Sequence, residues 1–306
     1  MIDTNDTKIK VIDAICGAGK TSWAIQEMNA NKDKKYMYIT PFLTEIDRVI
    51  ARTDRDFKQP VNKGDTKMSS FENLISYGSN IVSTHALFQD IDFNKKSKLS
   101  RGKYTLILDE VMDVIEKVPK IKSGDIEILL NEGIITVDDE KYVKWIKDYK
   151  NTQYDNLKAM TESRSVILVN DHLMMWNFPI EIFDCFEEVY ILTYKFDGQI
   201  MRHYYDYHNV KYTKYSVKYI NDRYQIIDYS KENEIEYIKQ YKKLINIYES
   251  NNKTSEKDLN AIANRYNALS VTWLKNADKE RRKELKDNIY NYFTNRINGE
   301  AYYNMW

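Results

Sequence analysis

A short apolar strand that runs directly into a glycine-rich turn constrains this chain more than any other feature of its sequence. Residues 8–13 read Lys-Ile-Lys-Val-Ile-Asp, residues 14–21 read Ala-Ile-Cys-Gly-Ala-Gly-Lys-Thr, and a helical pattern covers residues 20–29. Gly17 and Gly19 open backbone conformations that other residues avoid, so the N–H groups of the turn can converge on one anion. Strand, turn and helix in this order predict a phosphate-binding loop.

The residues from Gly17 to Thr21 carry the predicted phosphate chemistry. The backbone of Gly17, Ala18 and Gly19 would cradle the phosphates, and the Lys20 ammonium would reach the β- and γ-phosphate oxygens. The Thr21 hydroxyl would be a ligand of Mg²⁺, and the positive end of the following helix would face the anion. This set predicts binding of ATP together with Mg²⁺.

Two acidic residues at the end of a second apolar strand complement the turn. Residues 104–108 are apolar almost throughout, as expected for a strand buried on both faces of a sheet, and Asp109 and Glu110 follow at once. Asp109 would hold the Mg²⁺, and Glu110 would orient and deprotonate the attacking water. Lys20 and Glu110 are therefore the predicted catalytic residues of a nucleotide hydrolase. Alternatively, the acidic pair only ends the strand and caps a helix over residues 111–118.

Strand and helix patterns alternate over the first two thirds of the chain. The strand patterns lie at residues 8–13, 35–39, 80–83, 104–108, 165–169 and 189–192. Short strands separated by helices predict an α/β fold with a mostly parallel sheet and flanking helices. We therefore expect a RecA-like P-loop NTPase domain over residues 1–200.

The composition and the hydrophobic periodicity of the sequence change after residue 200. Residues 204–229 are rich in Tyr, Val and Ile and alternate with a period near two, and Asn221-Asp222 predicts a hairpin turn. Polar helical patterns follow at residues 232–248, 256–267 and 278–296. We expect residues 201–306 to form an accessory region of a Tyr-rich β-hairpin and helices.

Four segments, taken in order, resemble the superfamily 2 DEAD/DEAH-box-like helicases encoded in the replication modules of bacteriophages and prophages of low-GC bacteria. They read Thr-Pro-Phe-Leu-Thr-Glu from Thr40, Ser-Thr-His-Ala-Leu-Phe from Ser83, Leu-Ile-Leu-Asp-Glu-Val from Leu106 and Ile-Leu-Thr-Tyr from Ile191. The resemblance covers residues 8–206. The last segment departs from the Ser-Ala-Thr of the family.

The resemblance implies an ATP-dependent DNA helicase or translocase that serves phage or mobile-element replication in the cytoplasm of a bacterial host. Its partners would be DNA, in single-stranded form, and replication proteins. The implied nucleic-acid contacts are Thr40, Pro41, Thr84 and His85. The arginine-rich motif Q-x-x-G-R-x-x-R of the second helicase domain has no match within residues 201–306, so we expect at most the start of that domain there.

The amino-acid composition excludes several other classes of protein. Lys and Arg number 46 against 46 Asp and Glu, so nucleic acid would be held by a local groove and not by bulk charge. Two cysteines exclude a disulfide framework, the first ten residues carry no apolar stretch for a signal peptide, and no apolar run reaches the ~20 residues of a membrane span.

Two other function classes stay open. An ATP-binding switch that regulates a partner protein without translocating is favoured by the balanced charge and the missing arginine motif. A kinase would be recognised by transfer of phosphate to an acceptor other than water.

Overall fold

The structure, a computed structural model, describes residues 7–62, 66–91, 96–242 and 270–296. It divides the chain into two compact units, Met1–Ile235 and Glu236–Trp306. None of the helices in these described ranges is long and apolar enough to cross a membrane.

Strands and helices alternate along the described residues. The strands β1 to β13 are Ile9–Asp13, Lys35–Thr40, Phe57–Lys58, Asn80–Thr84, Tyr104–Asp109, Ile115–Lys117, Ile135–Val137, Val143–Trp145, Val166–Val169, Leu173–Asn177, Glu188–Thr193, Tyr212–Ile220 and Arg223–Asp228. The helices α1 to α12 are Lys20–Ala30, Leu43–Arg52, Lys67–Ser76, His85–Gln89, Lys96–Gly102, Ser123–Asn131, Asp155–Glu162, Glu181–Asp184, Ile200–Tyr207, Lys231–Lys242, Val271–Asn276 and Lys279–Asn291.

An eight-stranded sheet organises the first unit, in the order β13-β12-β1-β11-β5-β2-β4-β3. Every pair in this sheet is parallel except the β12–β13 hairpin. The α/β class with a largely parallel sheet is therefore confirmed, and the patterns read at residues 8–13, 35–39, 80–83, 104–108 and 189–192 correspond to β1, β2, β4, β5 and β11.

Apolar cores cover both faces of this sheet, because successive strand residues point to opposite sides. Ile9 and Val11 of β1 belong to one core, and Ile12 belongs to the other. Trp23 and Met28 of α1 are buried in that second core. This packing fixes α1 against the sheet and so holds the glycine-rich turn that joins β1 to α1.

Within the first compact unit, a smaller inserted unit of β6 to β10 lies between β5 and β11. The strands β6, β10 and β9 form a separate antiparallel sheet, and residues of α6 and α7 pack on it in a third core. The expectation that residues 165–169 belong to the parallel sheet was wrong, because a short apolar run does not show which sheet it joins. The alternative of a helix over residues 111–118 was also wrong, since that stretch ends in β6.

The first part of the Tyr-rich segment after residue 200 is a helix and not the strand that its sequence pattern predicts. Residues Ile200–Tyr207 form α9, and Tyr204 and Tyr205 are buried in the first core. Tyrosine suits a buried helix face as well as a strand, so the period-two interpretation was wrong there. The hairpin is confirmed: Asn221 and Asp222 lie at its turn with φ of 49° and 60°.

The hairpin joins the main sheet, because β12 pairs with β1. Beyond it, α10 and α12 fall within the helical patterns at residues 232–248 and 278–296. A π-helical turn, Tyr292–Arg296, follows α12. The helix expected at residues 256–267 lies outside the described residues. The domain boundary at residue 200 stays a prediction.

Glu188 ties three segments together near the amino ends of β1 and β11. Its carboxylate accepts hydrogen bonds from Lys10, at 3.1 Å, from Lys34 and from Tyr190, at 3.2 Å. Burial of the carboxyl opposes its ionisation, but the hydrogen bonds from the two lysines outweigh that effect and lower the pKa of Glu188 below its usual value. The ion pair therefore stabilises the fold in its charged form.

We expect Glu188→Gln to lower the free energy of unfolding by about 1–3 kcal/mol at pH 7. A carboxylate with a lowered folded-state pKa stabilises the protein above its unfolded-state pKa, and this contribution is lost as the pH falls through the folded-state value. The deficit should therefore shrink below pH ~4.5. Denaturant unfolding at pH 7 and pH 4 measures it, with the exposed neighbour Glu187→Gln as control. Equal deficits at the two pH values would contradict the prediction.

Candidate functional site

The glycine-rich turn of residues 14–19 lies between the carboxyl end of β1 and the first residue of α1. Gly17 and Gly19 have φ of 79° and 102°, in the region that side chains disfavour. The turn is fastened to the neighbouring strand by the Ala14 N–H, which donates to the Thr193 carbonyl at 3.0 Å. The local sequence therefore forms the strand–turn–helix arrangement that the phosphate-binding prediction requires.

Lys20 is buried at the start of α1 and folds back over the turn. Its ammonium donates to the carbonyls of Ala14 and Ile15, at 2.7 and 3.2 Å. These hydrogen bonds satisfy the buried ammonium and orient it into the turn. If an anion bound at the turn, its charged oxygens would replace these carbonyls as hydrogen-bond partners of the Lys20 ammonium.

Asp109 ends β5 as a buried carboxylate on the strand two places from β1. Burial raises its pKa to about 6, the Tyr38 hydroxyl and the Lys20 ammonium act to lower it, and the charges of Glu110 and Glu45 raise it further. Burial therefore makes the ionisation of Asp109 less favourable than that of an exposed aspartate. A bound cation would reverse that balance.

Two side chains of β2 contribute to the surroundings of Asp109. The Thr40 hydroxyl is fully buried and donates to the Asp109 carboxylate at 3.4 Å. The Tyr38 hydroxyl is also fully buried, and no group among the described residues meets hydrogen-bond geometry with it. Burial, followed by the charge of Asp109, raises the pKa of Tyr38 well above its usual value.

Glu110 has a φ of 65°, in the left-handed region that is unfavourable for residues with a Cβ. Its N–H donates to the Leu192 carbonyl at 2.8 Å, which holds this conformation. Its carboxylate accepts a hydrogen bond from the Thr193 hydroxyl at 3.4 Å. The Gln199 side-chain amide donates in turn to that hydroxyl at 3.1 Å. A chain of hydrogen bonds thus orients Glu110 from the end of β11.

Asp13 anchors the segment that follows β11. It is buried at the end of β1 and accepts the N–H groups of Lys195 and Phe196, at 2.8 and 3.1 Å. Lys214 of β12 forms an ion pair with it at 3.4 Å. Sequence reasoning assigned no role to Asp13, Tyr38 or Gln199. An acidic residue at the end of an apolar strand was the available signal for Asp13, but no sequence pattern indicated the other two.

The residues expected to contact nucleic acid are brought together by strand pairing. Thr40 and Thr84 are register partners on β2 and β4, so Pro41 and His85 follow at the same edge of the sheet. Thr84 caps α4 by accepting the Leu87 N–H at 3.4 Å. The Thr40 side chain is buried and its hydroxyl donates to the Asp109 carboxylate, so only Pro41 of the β2 pair is exposed at this edge, and the nucleic-acid contact of Thr40 stays a prediction.

His85 is half-buried at this edge of the sheet, where β2 and β4 end. Burial lowers its pKa below the usual value, and the backbone of Asp109 and the charge of Asp113 oppose that effect. His85 is therefore neutral at pH 7. Its Nε2 is buried and has no hydrogen-bond partner among the described residues. His85 can therefore hydrogen-bond only to a ligand that reaches this buried position, and it offers no positive charge.

The site residues fit a magnesium-bound nucleotide on two observations: the left-handed glycine turn and the buried carboxylate of Asp109. Thr21 and Asp109 would hold the metal. Within the described ranges no three His, Cys, Asp or Glu side chains cluster closely enough to hold a metal alone. Mg²⁺ is commonly bound by one or two carboxylates together with substrate phosphates, so this donor set suits it.

We expect Asp109→Asn to stabilise the nucleotide-free protein by about 1–3 kcal/mol at pH 8. With a folded-state pKa of about 6, ionisation of Asp109 destabilises the native state as the pH rises toward and through that value. The gain should therefore be smaller at pH 5 than at pH 8. Denaturant unfolding at both pH values measures it. The exposed Asp113→Asn is the control, and an equal gain there would contradict the prediction.

Comparison with known proteins matches two regions of the chain to family models. Residues 115–176 match the YonV middle domain. Residues 239–306 match the YonV C-terminal Rossmann-like domain. The first match coincides with the inserted unit from β6 to β10, which the sequence analysis did not separate. The second begins within α10 and continues through residues that are mostly outside the described ranges.

Among solved structures, the chain is similar to one named "XPD_APO", at 16% identity over 69% of this chain and 55% of that chain, with a TM-score of 0.32. The chain thus spans about half the length of that structure, and a TM-score this low is insufficient to assign fold or function. Among curated proteins, the chain is 36% identical over 313 aligned residues to the "SPbeta prophage-derived uncharacterized protein YonV" of Bacillus subtilis (strain 168). That alignment covers 98% of this chain and 74% of the relative. The chain therefore belongs to the family of the prophage protein YonV.

Proposed function

We propose that this chain is a superfamily 2-type motor that couples ATP hydrolysis to movement on DNA, acting in phage or mobile-element replication in the cytoplasm of a bacterial host. One observation carries the proposal. The glycine turn after β1 and the acidic pair at the end of β5 lie at the same edge of one parallel sheet, separated by a single strand whose Thr193 contacts both. A phosphate group bound at the turn would therefore lie across β11 from a carboxylate that could activate water.

Each residue of the site has a distinct role in the proposed reaction. The N–H groups of residues 17–19 and the Lys20 ammonium bind the β- and γ-phosphates of ATP. Thr21 and Asp109 would hold Mg²⁺, which would neutralise part of the charge on these phosphates. Glu110 accepts a proton from the water that attacks the γ-phosphate, and Thr193 keeps its carboxylate oriented.

We expect Glu110→Gln to retain ATP binding and to lower kcat about 10²- to 10⁴-fold, because the amide cannot accept the proton. Lys20→Ala should weaken ATP binding about 10- to 100-fold, since a charge-assisted hydrogen bond to phosphate is lost. Phosphate release and calorimetry with Mg²⁺–ATP measure the two effects. Lys67→Ala, at the exposed start of α3, is the matched control.

The outcome separates this proposal from its alternative. Turnover that is unchanged in Glu110→Gln would contradict the assigned base. Binding of ATP without turnover, alone or with single-stranded DNA, would favour a nucleotide-gated protein that regulates a partner. Balanced charge supports that second function, because no bulk positive field draws nucleic acid to the chain.

Support for DNA as the track comes from the corner formed by β2 and β4. Pro41, Phe42 and Leu43 follow β2 and are exposed, and the aromatic ring of Phe42, which is 62% exposed just before α2, suits stacking against a base. Thr84 and His85 begin α4 at the neighbouring strand end, where backbone N–H groups can meet a phosphate. The prophage origin of the YonV relative also suits a replication role.

We expect His85→Ala to weaken binding of an oligothymidylate about three- to tenfold, as one hydrogen bond is worth about 1 kcal/mol. Because His85 is neutral at pH 7, the slope of log K against log salt should not change. Fluorescence anisotropy at several salt concentrations tests both parts, with the exposed His172→Ala as control. A reduced slope would show that the residue acts as a charge.

A further inference from the structure

The β12–β13 hairpin extends past the end of β1 beside the glycine turn. β12 pairs with β1 only from Tyr212 to Tyr215, in parallel, and residues 216–220 of β12 pair with β13 alone. Five residues of strand extend about 16 Å. Since the two strands run in the same direction, this extension leaves the sheet at the carboxyl edge, where the turn of residues 14–19 lies.

The hairpin is in direct contact with the turn through Tyr224. Three ring atoms of Tyr224 lie 2.0 to 2.9 Å from the position that a Cβ on Gly19 would occupy, so the ring packs on the glycine backbone itself. The Tyr224 N–H donates to the Gln26 side chain of α1 at 3.0 Å. Gly19 is therefore required both for its φ of 102° and for the approach of this ring.

A second tyrosine continues the aromatic surface outward. Tyr219 is the register partner of Tyr224, and the two ring centroids are 4.9 Å apart. Tyr219 is 57% exposed, so one side of the pair touches the turn and the other faces solvent. Exposed tyrosines are common in this chain, but this pair is distinguished by its contact with the glycine turn.

The charges of the site determine which end of a nucleotide would reach this pair. The metal-binding Asp109 and the base Glu110 lie on the β5 side of β1, so the γ-phosphate points in that direction. The opposite end of the same molecule, the nucleoside, must then leave the turn on the other side of β1. In the order of the sheet that side is β12 and β13.

We propose that Tyr219 and Tyr224 form a stacking platform for the base of the nucleotide whose phosphates bind the turn of residues 14–19. The inference rests on the proposed function and adds the subsite that recognises the nucleoside. Stacking on an aromatic face accepts any base, so the platform selects nucleotides over bare polyphosphate and discriminates weakly between ATP and GTP.

The test compares Mg²⁺–ATP with Mg²⁺–tripolyphosphate by calorimetry on the full chain. We expect Tyr219→Ala to weaken ATP binding about 5- to 150-fold, the range of one base–aromatic stack, and to leave tripolyphosphate binding unchanged. Tyr219→Phe, which keeps the ring, should bind ATP as the wild type does. Tyr77→Ala is the matched control, because Tyr77 is 82% exposed and lies at the end of α3.

A second measurement uses the unmodified protein. A 2-aminopurine nucleoside triphosphate loses fluorescence when its base stacks, so binding to the wild type should quench it and binding to Tyr219→Ala should quench it less. Equal affinity of the wild type for ATP and tripolyphosphate, or unchanged quenching in Tyr219→Ala, would overturn the platform while leaving the phosphate site intact. Failure of the wild type to bind either ligand would instead overturn the proposed function.

Discussion

The parallel pairing of β1, β11 and β5 is the constraint on which the rest of the site depends. Asp13 pairs with Thr193, and Leu192 pairs with Asp109, so the three strands end within one residue of each other. Neighbouring strands lie about 4.8 Å apart, which puts the glycine turn and the acidic pair about 10 Å apart across β11. A triphosphate with its metal can bridge that distance. A shift of the register by one residue would reverse the facing of the side chains and separate the two halves.

Burial on both sides of this sheet sets the electrostatics of the site. Asp109, Thr40 and Tyr38 are shielded by the same apolar layers that hold the strands together, and burial is the main cause of the raised pKa of Asp109. Ionisation of Asp109 therefore lowers the stability of the protein alone, and a cation bound beside it would offset that loss.

Two additions to the parallel sheet, the unit from β6 to β10 and the hairpin β12–β13, distinguish this chain from a minimal α/β domain. The unit from β6 to β10 has its own core and attaches between the acidic pair and β11, so it joins the two segments that position Glu110. The hairpin β12–β13 extends the opposite side of the sheet and contacts the glycine turn through Tyr224. Both additions therefore adjoin the site instead of lying at remote edges.

Local spacing was enough to predict the site's two halves. Residues 14–21 and the strand ending in Asp109 and Glu110 are read correctly as strand–turn–helix and as a buried strand, because both depend on contacts between near neighbours in the chain. The hairpin turn at Asn221-Asp222 was predicted for the same reason. Their chemical roles remain proposals.

Where local preference was ambiguous, only the tertiary structure decided. Tyr204 and Tyr205 lie in a helix, residues 165–169 join a separate antiparallel sheet, and the Thr40 hydroxyl is buried against Asp109. The burial of Tyr38 beside Asp109, the hydrogen bonds of Gln199 and the packing of the Tyr224 ring on Gly19 depend on contacts between residues far apart in sequence. The sequence determined where the glycine-rich turn and the acidic pair lie in the chain, whereas strand order and register decided which side chains surround them, because those are set by packing over the whole sheet.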